Sequence, residues 1–173
     1  MWSILDHAVT AVREWSKNTE EIFTITKSVL LIFFTASCLI QDIKKRTISL
    51  KTFEIFGLSG IALFICSMIY FRSPSGLYIE EFLMMLLLPA ALLFISYLTG
   101  ESLGFGDSLY FLVSALYLSP KENFIMFVIS VAAAGIAGLV FTVLCMAKGR
   151  SARGKSLPFM TFIFPAAVIT LLL

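Results

Sequence analysis

Long apolar runs alternate with short charged breaks along almost the whole chain. The charge-free stretches are Ser28–Gln41, Ile55–Phe71, Phe82–Gly100, Ser108–Pro120, Asn123–Ala147 and Ser156–Leu173. A helix needs about 20 residues, rising 1.5 Å each, to cross roughly 30 Å of hydrocarbon. Four of the six runs reach or approach that length, whereas Ser28–Gln41 and Ser108–Pro120 have 14 and 13 residues. The first becomes long enough if the helix starts near Ile22 and Lys27 snorkels from its early turns. The fourth does so by taking in Asp107 or starting just before it. The pattern therefore predicts six transmembrane helices over residues 21–173. It also places Asp42 and Asp107 at or just inside the membrane edge, where a carboxylate is costly and commonly functional.

Local signals sharpen this division. Residues 1–20 predict a separate amphipathic helix in the lipid headgroup region. Trp2, Leu5, Ala8, Val9, Val12 and Trp15 share one side, and Asp6, Thr10, Arg13, Glu14 and Lys17 the other. A partner-binding helix is the alternative, and His7, the one histidine, falls on or near the polar side. Ser73-Pro74-Ser75-Gly76 predicts a turn, and Ser119-Pro120-Lys121-Glu122 reads as a capped helix start. Ser130, Ala134 and Gly138 form a small-residue stripe suited to close helix packing, and Pro158 and Pro165 are expected to bend the last helix.

Composition agrees and excludes other classes. Of 173 residues, 59% are hydrophobic and 14% charged, and the mean hydropathy is +0.96. A soluble domain carries roughly 25% charged residues. An ordinary soluble enzyme, a disordered chain and a disulfide scaffold are all excluded, leaving an all-α integral membrane protein of one membrane domain. A net charge of +2 gives no reason to expect nucleic acid as a partner. Cys38, Cys66 and Cys145 lie in apolar runs without any C-x-x-C pair and are expected to be small buried hydrophobes. Residues 1–20 carry mixed charge, so no cleavable signal peptide is expected.

The basic residues predict orientation. Lys44, Lys45, Arg46 and Lys51 follow the first span and Lys148, Arg150, Arg153 and Lys155 precede the last, against only Arg72 and Lys121 in the loops between. This places the basic loops in the cytoplasm and both termini outside, although Arg13 and Lys17 argue mildly the other way. Two complete crossings separate Asp42 from Asp107. An even number of crossings returns the chain to the face it left, so both carboxyl groups belong at the cytoplasmic boundary and can meet.

Their surroundings differ. Asp42 stands beside the cationic run Lys44-Lys45-Arg46, and Asp107 closes Gly104-Phe105-Gly106-Asp107, whose two glycines let the backbone leave helical geometry. Irregular backbone at membrane depth is tolerated where protein covers it or where it lines a wet cavity. Two acids in such a notch can share one proton. The ionised partner then activates a water against a peptide carbonyl while the protonated one donates to the oxyanion. No Ser-His-Asp arrangement is visible, and one histidine with scattered cysteines cannot build a zinc site, so neither cofactor nor metal is expected. Simpler roles stay open: Asp42 as the ion-pair partner of Lys45 or Arg46, and Asp107 as a helix cap. Glu101 reads as a solvated loop residue, and Glu54, Glu80 and Glu81 as helix-start acids.

Taken together, the two motifs resemble those of the type IV prepilin peptidases. Asp42-Ile43-Lys44-Lys45-Arg46-Thr47-Ile48 is similar to that family's first-aspartate motif, and Gly104-Phe105-Gly106-Asp107 to its G-x-G-D signature, 65 residues further on. Leu157-Pro158-Phe159 leads into the last helix as in the family, and the likeness runs from about residue 22 to the end. The resemblance implies a bacterial inner-membrane aspartic endopeptidase that removes the leader of prepilin-like pilus or secretion subunits at the cytoplasmic face. Asp42 and Asp107 would be its catalytic pair, with Gly104 and Gly106 shaping the backbone. Three departures stand out. The family's I-P-N is here Ile48-Ser49-Leu50, its lysine two residues after the second aspartate is Leu109, and nothing here could form its paired-C-x-x-C methyltransferase domain. A small transporter or ion relay using the two acids, and a catalytically inactive scaffold, are the alternatives; the internal repeat often seen in transporters is missing.

Overall fold

The computed structural model describes residues 2–70, 78–98, 104–148 and 158–173, with the side chains of 2–16, 78, 79 and 81 excluded. Among the described residues six helices follow one another: α1 (Trp2–Lys45), α2 (Leu50–Tyr70), α3 (Tyr78–Leu98), α4 (Phe105–Ser114), α5 (Pro120–Ala147) and α6 (Met160–Leu172). No strand occurs among the described residues. Segments of three helices, Lys17–Lys45, Leu50–Tyr70 and Pro120–Ala147, are long and apolar enough to cross a membrane.

The N-terminal segment and the first span are one helix rather than two. α1 runs unbroken for 44 residues, about 66 Å at 1.5 Å per residue. The physical reason is in its sequence, which has neither proline nor glycine between Trp2 and Lys45 and so nothing to end or kink the helix near residue 20. The polar and apolar faces of residues 2–16 lie outside the described side chains. α1 ends where Arg46 takes a left-handed conformation, φ 51°, with its N–H bonded to the Asp42 carbonyl at 2.9 Å.

The fourth helix is shorter than the run that predicted it. α4 has ten residues, about 15 Å, half of what a membrane crossing needs. Hydrogen-bonded turns carry it on to Leu118, and then the start of α5 takes over. That start follows the sequence pattern closely. The Ser119 hydroxyl accepts from the Glu122 N–H at 3.3 Å, the Glu122 carboxylate accepts from the Ser119 N–H at 2.8 Å, and Pro120 opens the helix. Asn123, buried one residue later, ties the two helices together. Its amide donates to the Phe111 carbonyl at 3.2 Å and its oxygen accepts from the Ser114 hydroxyl at 2.9 Å.

α4 is the buried centre of the molecule. Ser108, Tyr110, Phe111, Val113 and Ser114 are all enclosed, and α2, α3 and α5 pack around it. α6 lies between α1 and α5, burying Met160, Ile163, Ala166 and Ala167. Gly60 of α2 meets the turn after α4 at close range: a Cβ there would stand 2.9 Å from the Leu116 Cβ. The outward faces of the long helices are apolar, with Ile25, Ile55, Leu87, Ile136 and Leu139 exposed, as a helix facing lipid requires.

Five local expectations meet a different outcome or lie outside the described residues. Cys66 is exposed on the outer face of α2, while Cys38 and Cys145 are buried. Of the small-residue stripe of α5, Ser130 is buried and Ala134 and Gly138 are half-buried, and a Cβ at Gly138 would meet nothing within 4 Å. Pro158 precedes α6 and so cannot bend it, whereas Pro165 lies within that helix. The turn expected at residues 73–76, together with Glu101, lies outside the described residues.

Candidate functional site

Asp42 and Asp107 line one cleft of about 410 Å³. Asp42 comes from the last turn of α1, together with Arg46, Thr47 and Ile48 of the segment that follows. Asp107 comes from the first turn of α4, and Phe53 of α2 and Leu109 of α4 supply apolar wall. Both carboxyl-bearing residues are half-buried, and they line the same cleft. The cleft is thus formed by segments more than 50 residues apart, which touch directly: Ile48 Cδ1 approaches within 3.9 Å of where a Gly106 Cβ would be.

The simpler roles open to the two acids are not the ones they play here. Among the described residues Asp42 forms no ion pair with Lys45 or Arg46. Asp107 is not the cap of α4; Gly104 is, and Asp107 sits three residues on, its N–H bonded to the Gly104 carbonyl at 2.9 Å. The two glycines act differently from each other. Gly104 has φ −55° and ψ 121°, a conformation open to any residue, so backbone freedom is not why glycine is needed there. Space is the reason: a Cβ on Gly104 would stand 2.9 Å from Asp107 Oδ2. Gly106 is within the helix, where an added Cβ would make only an ordinary contact.

The departures from the resembled motifs also have positions. Ser49, in place of a proline, donates its N–H to Gln41 Oε1 at 2.8 Å, while Gln41 Nε2 donates to Thr52 Oγ1 at 2.8 Å. Gln41 therefore holds the segment after α1 against the start of α2 with hydrogen bonds that a proline N could not make. Leu109, where the resembled motif has a lysine, lines the cleft and adds to its apolar wall.

Several residues that shape the site carry no motif. Gln41 is one. Thr35, Phe34 and Tyr110 are others, buried below the acids where α1 and α4 face each other. The only hint in the sequence is their spacing: residues 35, 38 and 42 share a face of α1, and residues 107, 110 and 114 a face of α4. Ser108, beside Asp107, has a buried hydroxyl with no hydrogen-bond partner.

A second cavity, of about 380 Å³, opens at the other end of the bundle, where Lys27 meets the ends of α2 and α4; among the described residues no carboxylate lines it. No group of three or more histidine, cysteine, aspartate or glutamate residues that could hold a metal occurs among the described residues. The chain matches no family model, no curated protein and no solved structure.

Proposed function

We propose that the chain is a membrane aspartic endopeptidase that cuts the N-terminal leader from prepilin-like substrates. The cut falls at the cytoplasmic face of a bacterial inner membrane, just before the substrate's apolar segment. One observation carries the reading: Asp42 and Asp107, 65 residues and two long helices apart, line the same half-buried cleft, and among the described residues no cation pairs with either carboxylate. Structural acids at helix ends would point to solvent or to a neighbouring lysine. The resemblance of both motifs to the prepilin peptidases, and the basic residues beside the cleft, support the same reading. In it the chain crosses the membrane six times with both termini outside, α4 crossing together with the turns that prolong it.

The chemistry uses one proton held between two carboxyl groups that cannot comfortably both ionise. The ionised aspartate takes a proton from a water as its oxygen attacks the peptide carbonyl carbon. The protonated aspartate gives its proton to the carbonyl oxygen, and a neutral tetrahedral diol results. Proton transfer to the amide nitrogen then accompanies cleavage of the C–N bond. A free carboxyl group and a free amine leave, and the pair is back in its one-proton state. No covalent enzyme intermediate is formed. Phe53, Phe105 and Leu109 give the cleft an apolar wall against which the start of a substrate's hydrophobic segment can lie, and Thr47 and Arg46 offer polar contacts to the peptide before it.

The test is co-expression with prepilin-like candidates from the same genome, reading the substrate's new N-terminus by mass spectrometry. Cleavage is expected in the parent protein. It should fall by at least about 10³-fold in both Asp42→Asn and Asp107→Asn, since each near-isosteric change removes a group on which acid–base chemistry depends. Cleavage that survives either variant removes the pair from the chemistry. Folded protein that cleaves none of the candidates turns the reading toward an ion relay or a scaffold.

A further inference from the structure

The helices that carry the two acids do not pack closely against each other along their backbones; α1 lies against α2 and α6, and α4 against α2, α3 and α5. What joins α1 to α4 is a set of buried side chains directly below the cleft. The Phe34 and Tyr110 rings stack with centroids 5.1 Å apart and planes 7° from parallel. The Tyr110 hydroxyl lies 2.8 Å from Thr35 Oγ1. Phe34, Thr35 and Tyr110 are each fully buried. Each hydroxyl can donate in this pair: Thr35 Oγ1 also reaches the Leu31 carbonyl at 2.7 Å, and the Tyr110 hydroxyl reaches Met126 Sδ at 3.9 Å.

Packing alone does not call for this polarity. Phenylalanine and valine would fill nearly the same volumes, and a buried hydroxyl has to find a partner or lose several hydrogen-bond equivalents of solvation. What the bond adds is direction: it sets the rotation and height of α4 relative to α1. Tyr110 is one turn past Asp107 on α4, and Thr35 two turns before Asp42 on α1. A ten-residue helix has little stability of its own to hold such a register. We propose that Tyr110 and Thr35 form a pin between α1 and α4 that sets the separation of the Asp42 and Asp107 carboxyl groups, so that Tyr110 is a positioning residue for their joint chemistry. The value of that separation to catalysis rests on the peptidase reading; the pin itself does not.

Two measurements keep these apart. In protein whose native cysteines are replaced by alanine, Asp42→Cys and Asp107→Cys are joined by a short bis-methanethiosulfonate, and the cross-linking rate is followed with and without Tyr110→Phe or Thr35→Val. Each pin variant is expected to slow cross-linking about five- to tenfold, the equivalent of one neutral hydrogen bond. Thr35→Ser, which keeps the hydroxyl, should restore the rate. An unchanged rate in Tyr110→Phe at unchanged folding overturns the pin whether or not the protein cleaves anything. In the uncross-linked protein, Tyr110→Phe is expected to lower kcat by a similar factor with little change in KM, and Thr35→Ser to retain it. Loss confined to KM, or Tyr110→Phe as active as the parent, overturns the positioning role. If Asp42→Asn leaves cleavage intact, the peptidase pair fails while the cross-linking result still decides the pin.

Discussion

At the scale of single residues, the site depends on one missing methyl group. Gly104 leaves the space that the Asp107 carboxyl occupies, with 2.9 Å between a would-be Cβ and Oδ2. Alanine at 104 is sterically allowed by the backbone but must push the carboxyl aside. Gly104→Ala is therefore expected to lower leader cleavage at least about tenfold, a misplacement effect of the kind that costs far more than the distance suggests. Its thermal midpoint in detergent should hardly change. Gly106→Ala should behave in the opposite sense. It adds a methyl group to a helical position with room for it, and is expected to stabilise the fold by about 0.5–1 kcal/mol. A pair of midpoints and initial rates, measured side by side, separates the two glycines that one motif presents as equivalent. Arg46 belongs to the same scale. A non-glycine residue at φ 51° is uncommon, and it turns the chain so that Thr47 and Ile48 come back along the cleft.

At the scale of elements, what matters is how a short helix is held among long ones. α4 has partners on every side. Asn123 closes its C-terminal end, the Tyr110–Thr35 pair its middle, and α2 approaches the turn beyond it at Gly60. The last contact is the tightest. Any side chain at 60 would overlap Leu116 and crowd Tyr117, whose hydroxyl also bonds Ser59 at 2.7 Å. Gly60→Ala is expected to destabilise the protein by about 1–3 kcal/mol, as overpacking of a close contact does. Thermal or denaturant unfolding in a fixed detergent would show it as a lower midpoint. An unchanged midpoint would mean that α2 can slide away from α4 without loss.

At the scale of the molecule, the long helices bury few residues and turn an apolar surface outward, so their setting must be a bilayer for the fold to persist. The proposed orientation makes a direct prediction about access. Single cysteines introduced at Lys44 and Lys148, in a protein otherwise free of cysteine, should react with an impermeant thiol reagent only when the cytoplasmic side is opened. A cysteine at Lys121 should react from outside in intact cells. Labelling of 44 and 121 from the same side would mean that α4 and its following turns do not carry the chain across the membrane. The basic loops would then have to be explained without a membrane potential or the positive-inside rule.

The sequence by itself determined what depends on neighbours in the chain. The length of the apolar runs, the Ser119–Glu122 cap and the chemical identity of the two acids all follow from residues within a few positions of one another, whereas the expected break near residue 20 did not occur. Parity of crossings went one step further and made a meeting of Asp42 with Asp107 geometrically possible. Tertiary structure decided the rest. The space that Gly104 leaves for the Asp107 carboxyl, the hydrogen bonds of Gln41 across the turn and the Tyr110–Thr35 pair are set by contacts in space; in the last, the partners are 75 residues apart. The outward exposure of Cys66 and the open space beside Gly138 depend likewise on where neighbouring helices lie. Hydropathy and capping act through the local chain and are written in it. The fit of one helix against another depends on side-chain volumes and directions summed over several elements at once, and no single stretch of the sequence carries that sum.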